Sequence, residues 1–161
     1  MTDSLLESIE KRFPQAVQTK CAESGCKLIL DRKKLGTFLL LKGESVRPGK
    51  PACDCIIFIP PKESEKEKGK IIVGLTELKS KTVHVSHVCN QLTGGLNFAL
   101  ELLYDKGINA KGFKCYAMVV AKKWNTPEYK LLTSKKLVYR GVKYRILPKK
   151  CGASFADIIS G

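Results

Sequence analysis

The period of the hydrophobic positions shifts along the chain, and each shift marks an element. Leu5, Leu6 and Ile9 fall at helical spacing behind Ser4-x-x-Glu7, the pattern of a capping box, and Pro14 stops or bends that helix. A second short helical stretch is expected over residues 15–22, broken by Gly25. Residues 26–32 and 37–41 read as strands joined by a turn, and so as a hairpin. A polar loop follows over 43–50. Residues 53–59 read as an apolar strand, unbroken from Cys55, that Pro60-Pro61 ends. A solvated, mixed-charge loop over 62–69 leads to a strand over 70–79. From 83 to 104 the period becomes 3.6. Val85, Val88, Leu92, Leu96, Ala99 and Leu103 share one face of a long amphipathic helix. Gly94-Gly95 weakens a helix there unless it lets the helix pack close to a sheet. Gly107 is its stop. Residues 115–121 are a strand, 124–127 a turn, and 137–139 with 142–147 a closing hairpin around Gly141.

This order predicts one α/β (α+β) domain over 1–161, with a mixed central β-sheet flanked by helices and a basic C-terminal β-hairpin. A core over about 20–121 is followed by a basic extension over 122–161. No apolar run approaches the roughly 20 residues of a membrane span. The first seven residues lack the basic start and apolar stretch of a signal peptide, so the cytoplasm is the expected compartment.

Charge changes the picture. Lys and Arg number 29 against 15 Asp and Glu, a net charge of +14. Residues 105–161 hold 13 of the basic groups and only 3 of the acidic ones. A basic surface segregated to one end points to nucleic acid as partner, through phosphate neutralisation and counterion release. The competing reading is a solvated Lys-rich surface that serves solubility alone.

The seven cysteines are odd in number and lie in a chain with no export signal, so a disulfide framework is not expected. Cys53-x-Cys55 and Cys21-x4-Cys26 do not match the common zinc spacings, so zinc is disfavoured even with His84 and His87 nearby. The expected role of most of them is as small buried hydrophobes.

The chemistry lies in Cys53-Asp54-Cys55-Ile56-Ile57-Phe58 and Gly74-Leu75-Thr76-Glu77-Leu78-Lys79. Side chains alternate along a strand, so Glu77 and Lys79 share a face. In an antiparallel hairpin turning near residue 65, Asp54 comes opposite residue 76 or 77. Two carboxylates held this close repel one another when ionised. A hard divalent cation, Mg²⁺ or Mn²⁺, relieves this, with the Leu78 carbonyl as a further oxygen ligand. Lys79 would then orient or deprotonate an attacking water, or stabilise charge on a phosphorane. The bland reading makes Glu77 and Lys79 an exposed cross-strand ion pair. It fits poorly with strands that are otherwise apolar, and so central.

Cys-Asp-x-x-x-Phe, a variable loop, Thr-Glu-Leu-Lys, and then a helix bearing Gln-Leu together resemble the PD-(D/E)XK nuclease superfamily, which includes restriction endonucleases and Holliday-junction resolvases. The resemblance covers about residues 20–105. It implies a restriction endonuclease-like core of helix, three strands, helix and strand. It implies Asp54 and Glu77 as metal-binding and catalytic acids and Lys79 as the catalytic lysine. Asp54 follows Cys53 where the superfamily pattern has Pro. A further acidic ligand comes from Glu23 or Glu7, with Glu23 preferred, and Gln91 matches a helix-borne catalytic Gln. His84, His87 and Gln91 share one helical stripe that could edge the site, although a His at a helix end is more often only a polar surface group.

Candidate phosphate-binding residues are Lys81 and His84 beside the site, and Lys122, Lys123, Arg140, Lys143 and Arg145 in the basic segment. Trp124, Tyr129, Tyr139 and Tyr144 interleave with that segment. They are either stacking platforms for unpaired bases or core residues of the closing hairpin. The expected function is a metal-dependent nuclease, with DNA favoured over RNA by the resemblance alone and a homodimer possible. The alternative is a non-catalytic nucleic-acid-binding protein, or a nucleoprotein subunit, that retains the fold.

Overall fold

The apolar runs that read as strands assemble into a six-stranded sheet, seen here in a computed structural model that describes residues 2–62 and 69–161 (for residues 2–4, the backbone alone). The tip of the charged loop, 63–68, lies outside the described residues. The strands are β3 (Leu39–Lys42), β4 (Cys55–Ile59), β5 (Ile71–Lys79), β6 (Phe113–Ala121), β7 (Lys136–Tyr139) and β8 (Val142–Lys150), in the order β3-β4-β5-β6-β8-β7. β3, β4 and β5 are antiparallel neighbours. β6 lies parallel to β5, and β8 parallel to β6. The segment past residue 121 is thus part of the sheet, and its β7–β8 hairpin closes one edge. β4 is buried along its whole length, which is why it reads as an unbroken apolar run.

One face of the sheet carries α4 (Val85–Asp105) and α1 (Thr2–Arg12). Val88, Leu92, Leu96 and Ala99 of α4, with Leu5, Leu6 and Ile9 of α1, bury Ile56, Phe58, Val73, Leu75 and Val119. The other face is covered by the small β1–β2 hairpin (Cys21–Glu23 and Cys26–Leu28), α2 (Arg32–Leu35) and α6 (Phe155–Ser160), over Ile57, Ile59, Met118 and Val120. α3 (Gly43–Val46) follows β3, and α5 (Thr126–Ser134) leads to β7. Among the described residues no helix is long and apolar enough to cross a membrane.

Several local expectations are corrected. α1 starts at Thr2, so Ser4 stands inside the helix and not at its cap, and its side chain lies outside the described residues. Residues 15–22 hold only a 3-10 turn (Pro14–Ala16) and then β1. Ser24 and Gly25, at φ 50° and 80°, form the tight turn into β2. Residues 26–32 do not pair with 37–41. β2 pairs with β1, Asp31 accepts the Lys33 amide to cap α2, and β3 takes the central strand β4 as its partner. The loop over 43–50 begins with α3. The turn at 124–127 is the head of α5, where Asn125 Oδ1 accepts the Glu128 amide and Pro127 occupies the first turn.

The cysteines depart furthest from expectation. Cys21 is bonded to Cys55 and Cys26 to Cys151, while Cys53, Cys89 and Cys115 are free. An odd count and short-range spacing say nothing about contacts made by topology. The C-terminal segment returns alongside β2, with Ile29 bridging Ser154, and this sets Cys151 against Cys26.

Gly94 and Gly95 are sites of close approach. A Cβ at Gly94 would collide with the Pro51 carbonyl, and one at Gly95 with Cys53 Sγ. Gly94→Ala should therefore destabilise the protein by about 1–3 kcal/mol despite the better helix propensity of Ala, read as a lower urea midpoint. Peptide mapping without reductant should recover the Cys21–Cys55 and Cys26–Cys151 pairs. The double variant Cys26→Ser/Cys151→Ser should lose about 2–4 kcal/mol in the same unfolding assay.

Candidate functional site

The site forms where β4 ends its pairing with β5. The register sets Cys55 opposite Thr76 and Ile57 opposite Gly74, so Asp54, one residue before β4, comes opposite Glu77. Two backbone bonds lock the acids crosswise. The Asp54 amide donates to Glu77 Oε1 at 3.2 Å, and the Leu78 amide donates to Asp54 Oδ2 at 2.8 Å. Each carboxylate thus gives one oxygen to the opposite strand. Lys79 Nζ lies 3.4 Å from Glu77 Oε2. Glu77 is only 2% exposed, which the reading as an exposed ion pair does not accommodate. Strand geometry turns the Leu78 carbonyl to the same side as its amide, toward Asp54.

β1 brings in the third acid. Glu23 stands at the tip of the hairpin, and the Cys21–Cys55 bond ties its strand to the residue after Asp54. Glu23, Asp54, Glu77 and Lys79 line one open cleft of 580 Å³, together with Lys81, His84, His87 and Gln91. Gln91 is held by its amide nitrogen, which donates to the Ala52 carbonyl at 2.9 Å. The close approach at Gly94 and Gly95 gives it this reach. Glu7 is exposed on α1 and does not line the cleft.

Three acids meet here with too little opposing charge. Burial, and then the Glu77 charge, push the Asp54 carboxyl up to about 6. Burial raises Glu77 against the pull of Lys79. A side-chain hydrogen bond that the Glu23 carboxyl donates to Asp54, and then the Asp54 charge, raise Glu23, while Lys42 and Lys79 oppose. Among the described residues no three His, Cys, Asp or Glu side chains already converge as a metal-chelating set. Two fixed carboxylates and a backbone carbonyl, with Glu23 at their edge, offer the all-oxygen donors that suit a hard divalent cation.

The basic candidates divide. Lys81 and His84 line the cleft. The Lys122 amide donates to the Lys79 carbonyl, and its ammonium lies over the Gly25 turn. Lys123 lines a neighbouring cavity. Arg140, Lys143 and Arg145 are not brought to the site. Lys150 is level with Ala121, and Ala121 with Lys79, so Lys143 lies roughly 23 Å down the sheet at about 3.3 Å per residue. The Arg140 guanidinium instead stacks 4.1 Å from the centre of the Tyr104 ring. Ser24, Ser80 and Thr82 also line the cleft and were not anticipated. The Ser24-Gly25 turn signal between two short runs was the one clue to the first of them.

Because Asp54 has a raised carboxyl, its contribution favours the fold at low pH. That contribution is fully present below about 4 and is lost as pH rises through about 6. Without added divalent cations, Asp54→Asn should therefore be more stable than the parent by about 1–3 kcal/mol at pH 8, and nearly equal to it at pH 4. Urea unfolding at the two pH values checks both the size and the sign.

Compared with protein-family models, with curated proteins and with solved structures, the chain finds no match in any of the three, so the action of the site has to be inferred from its own geometry.

Proposed function

We propose that the chain hydrolyses phosphodiester bonds of nucleic acid with the help of Mg²⁺ or Mn²⁺, acting on DNA in preference to RNA. The observation that carries this reading is the convergence of Asp54, Glu77 and Lys79 in one open cleft with a basic rim. The element order supports it: a helix, three antiparallel strands, a long helix and a parallel strand. This is the order implied by the PD-(D/E)XK resemblance. The preference for DNA rests on that resemblance alone.

Asp54, Glu77 and the Leu78 carbonyl would hold the cation, with Glu23 closing the set. A divalent ion bound there supplies Lewis-acid charge at the phosphate and eases ionisation of water. The chain's own groups do the rest. Glu77 Oε2 lies 3.4 Å from the Lys79 ammonium and keeps it at the cleft. There it orients the attacking water and opposes the negative charge that grows on the phosphorus oxygens. Water oxygen bonds to phosphorus as the bond to the ribose or deoxyribose oxygen breaks; the water gives up a proton to solvent and the departing oxygen takes one from it, leaving a phosphate monoester and a free hydroxyl. Lys81 and Lys122 neutralise neighbouring phosphates and fix the strand without reading its sequence.

The test is cleavage of single-stranded, duplex and branched DNA and of RNA, with Mg²⁺ or Mn²⁺. Glu77→Ala and Lys79→Ala are run alongside, with their folding checked by circular dichroism. Each substitution should lower the rate by about 10²-fold or more, and chelation should abolish it. Salt-sensitive binding with no cleavage under any condition, unchanged in Glu77→Ala, would replace this reading with that of a non-catalytic nucleic-acid-binding protein.

A further inference from the structure

Past Ser80, Lys81 and Thr82 the cleft continues into a second cavity of 650 Å³, since those three residues line both. Its far wall is Lys123, Trp124, Asn125 and Glu128. Trp124, the only tryptophan of the chain, is fixed in place. Its Nε1 donates to the Lys149 carbonyl at 2.9 Å, and Tyr129 packs edge-on with ring centres 5.8 Å apart. Glu128 accounts for its backbone amide through the Asn125 cap, but its Oε2 is buried and accepts no hydrogen bond among the described residues. An unpartnered buried carboxylate oxygen is costly, and because Glu128 lines the cavity, a turn of its side chain toward a donating ligand there would relieve the cost. An aromatic wall, a carboxylate in need of a donor and two flanking ammonium groups together describe a nucleotide.

We propose that this cavity is the subsite for one unpaired base next to the scissile phosphate, an extension that rests on the nuclease reading for its placement along the strand. The base stacks on Trp124, Glu128 accepts from the donors on its edge, and Lys81 and Lys123 hold its phosphate. A base inside a duplex has both faces stacked and its edge paired, so the cavity admits only single-stranded, frayed or branched positions. Guanine offers two adjacent donors, N1–H and N2–H, which match a carboxylate. Thymine flanks its one N–H with two carbonyls that repel it. The subsite should therefore rank guanine first and thymine last.

Trp124 is its own reporter. Short single-stranded deoxyoligonucleotides are titrated in EDTA, with tryptophan emission and the anisotropy of a labelled strand read together. Strands carrying guanine should quench Trp124 saturably and bind about fivefold or more tighter than oligo-dT or an abasic strand of equal length. Glu128→Gln should erase the guanine preference while leaving the affinity for abasic strand unchanged. Binding by anisotropy with unaltered emission, or equal quenching by the abasic strand, would overturn the subsite. Quenching without Mg²⁺-dependent cleavage would keep the subsite and reject the nuclease. Cleavage without any change in emission would do the reverse, and a failure of every strand to bind would reject both.

Discussion

The register between β4 and β5 governs the site. A slip of one residue would carry Glu77 and Lys79 to the opposite face of the sheet, away from α4 and from Asp54. Burial contributes to holding the register, with Ile56, Ile57 and Phe58 of β4 hidden on both faces of the sheet. The register is held again at the site by the two crossed bonds between Asp54 and the Glu77-Leu78 segment. The same contacts that align the strands thus position the acids. α4 then adds Gln91 because two glycines let its backbone lie against residues 51–53.

This arrangement works against itself electrostatically. Asp54 and Glu77 are anchored by backbone amides, which stabilise a carboxylate, yet burial raises both carboxyls and the Glu77 charge raises Asp54 further. Among the described residues only Lys79 forms an ion pair with these acids, through Glu77. A cluster of this kind lowers stability. It persists because the apolar sheet around it holds the side chains in place, the usual relation between a preorganised site and its scaffold.

The parts of the molecule legible in the sequence were those with a strong period or a strict local rule. β4, β5, α4 and β6 announce themselves through apolar runs and 3.6-residue spacing. The β7–β8 turn does so through Arg140-Gly141, both at positive φ. From the β4–β5 hairpin alone, the meeting of Asp54 with Glu77 could be worked out. Glu23 could not, because its place depends on a three-residue strand too short to carry a period. α5 was missed although Asn125, Pro127 and Glu128 form a helix start, since Trp124 and Pro127 read more simply as a turn. The cysteine pairs were invisible for a deeper reason: sequence separations of 34 and 125 residues encode nothing until the chain has folded.

The Cys21–Cys55 bond divides the acids into two classes. Asp54 and Glu77 belong to the sheet and keep their places as long as it stands. Glu23 rides on a hairpin that is fastened to β4 by a covalent bond one residue past Asp54. The same hairpin is tied to the C-terminal segment by Cys26–Cys151, so the third acid is placed by two covalent links, whereas the pair is placed by strand pairing.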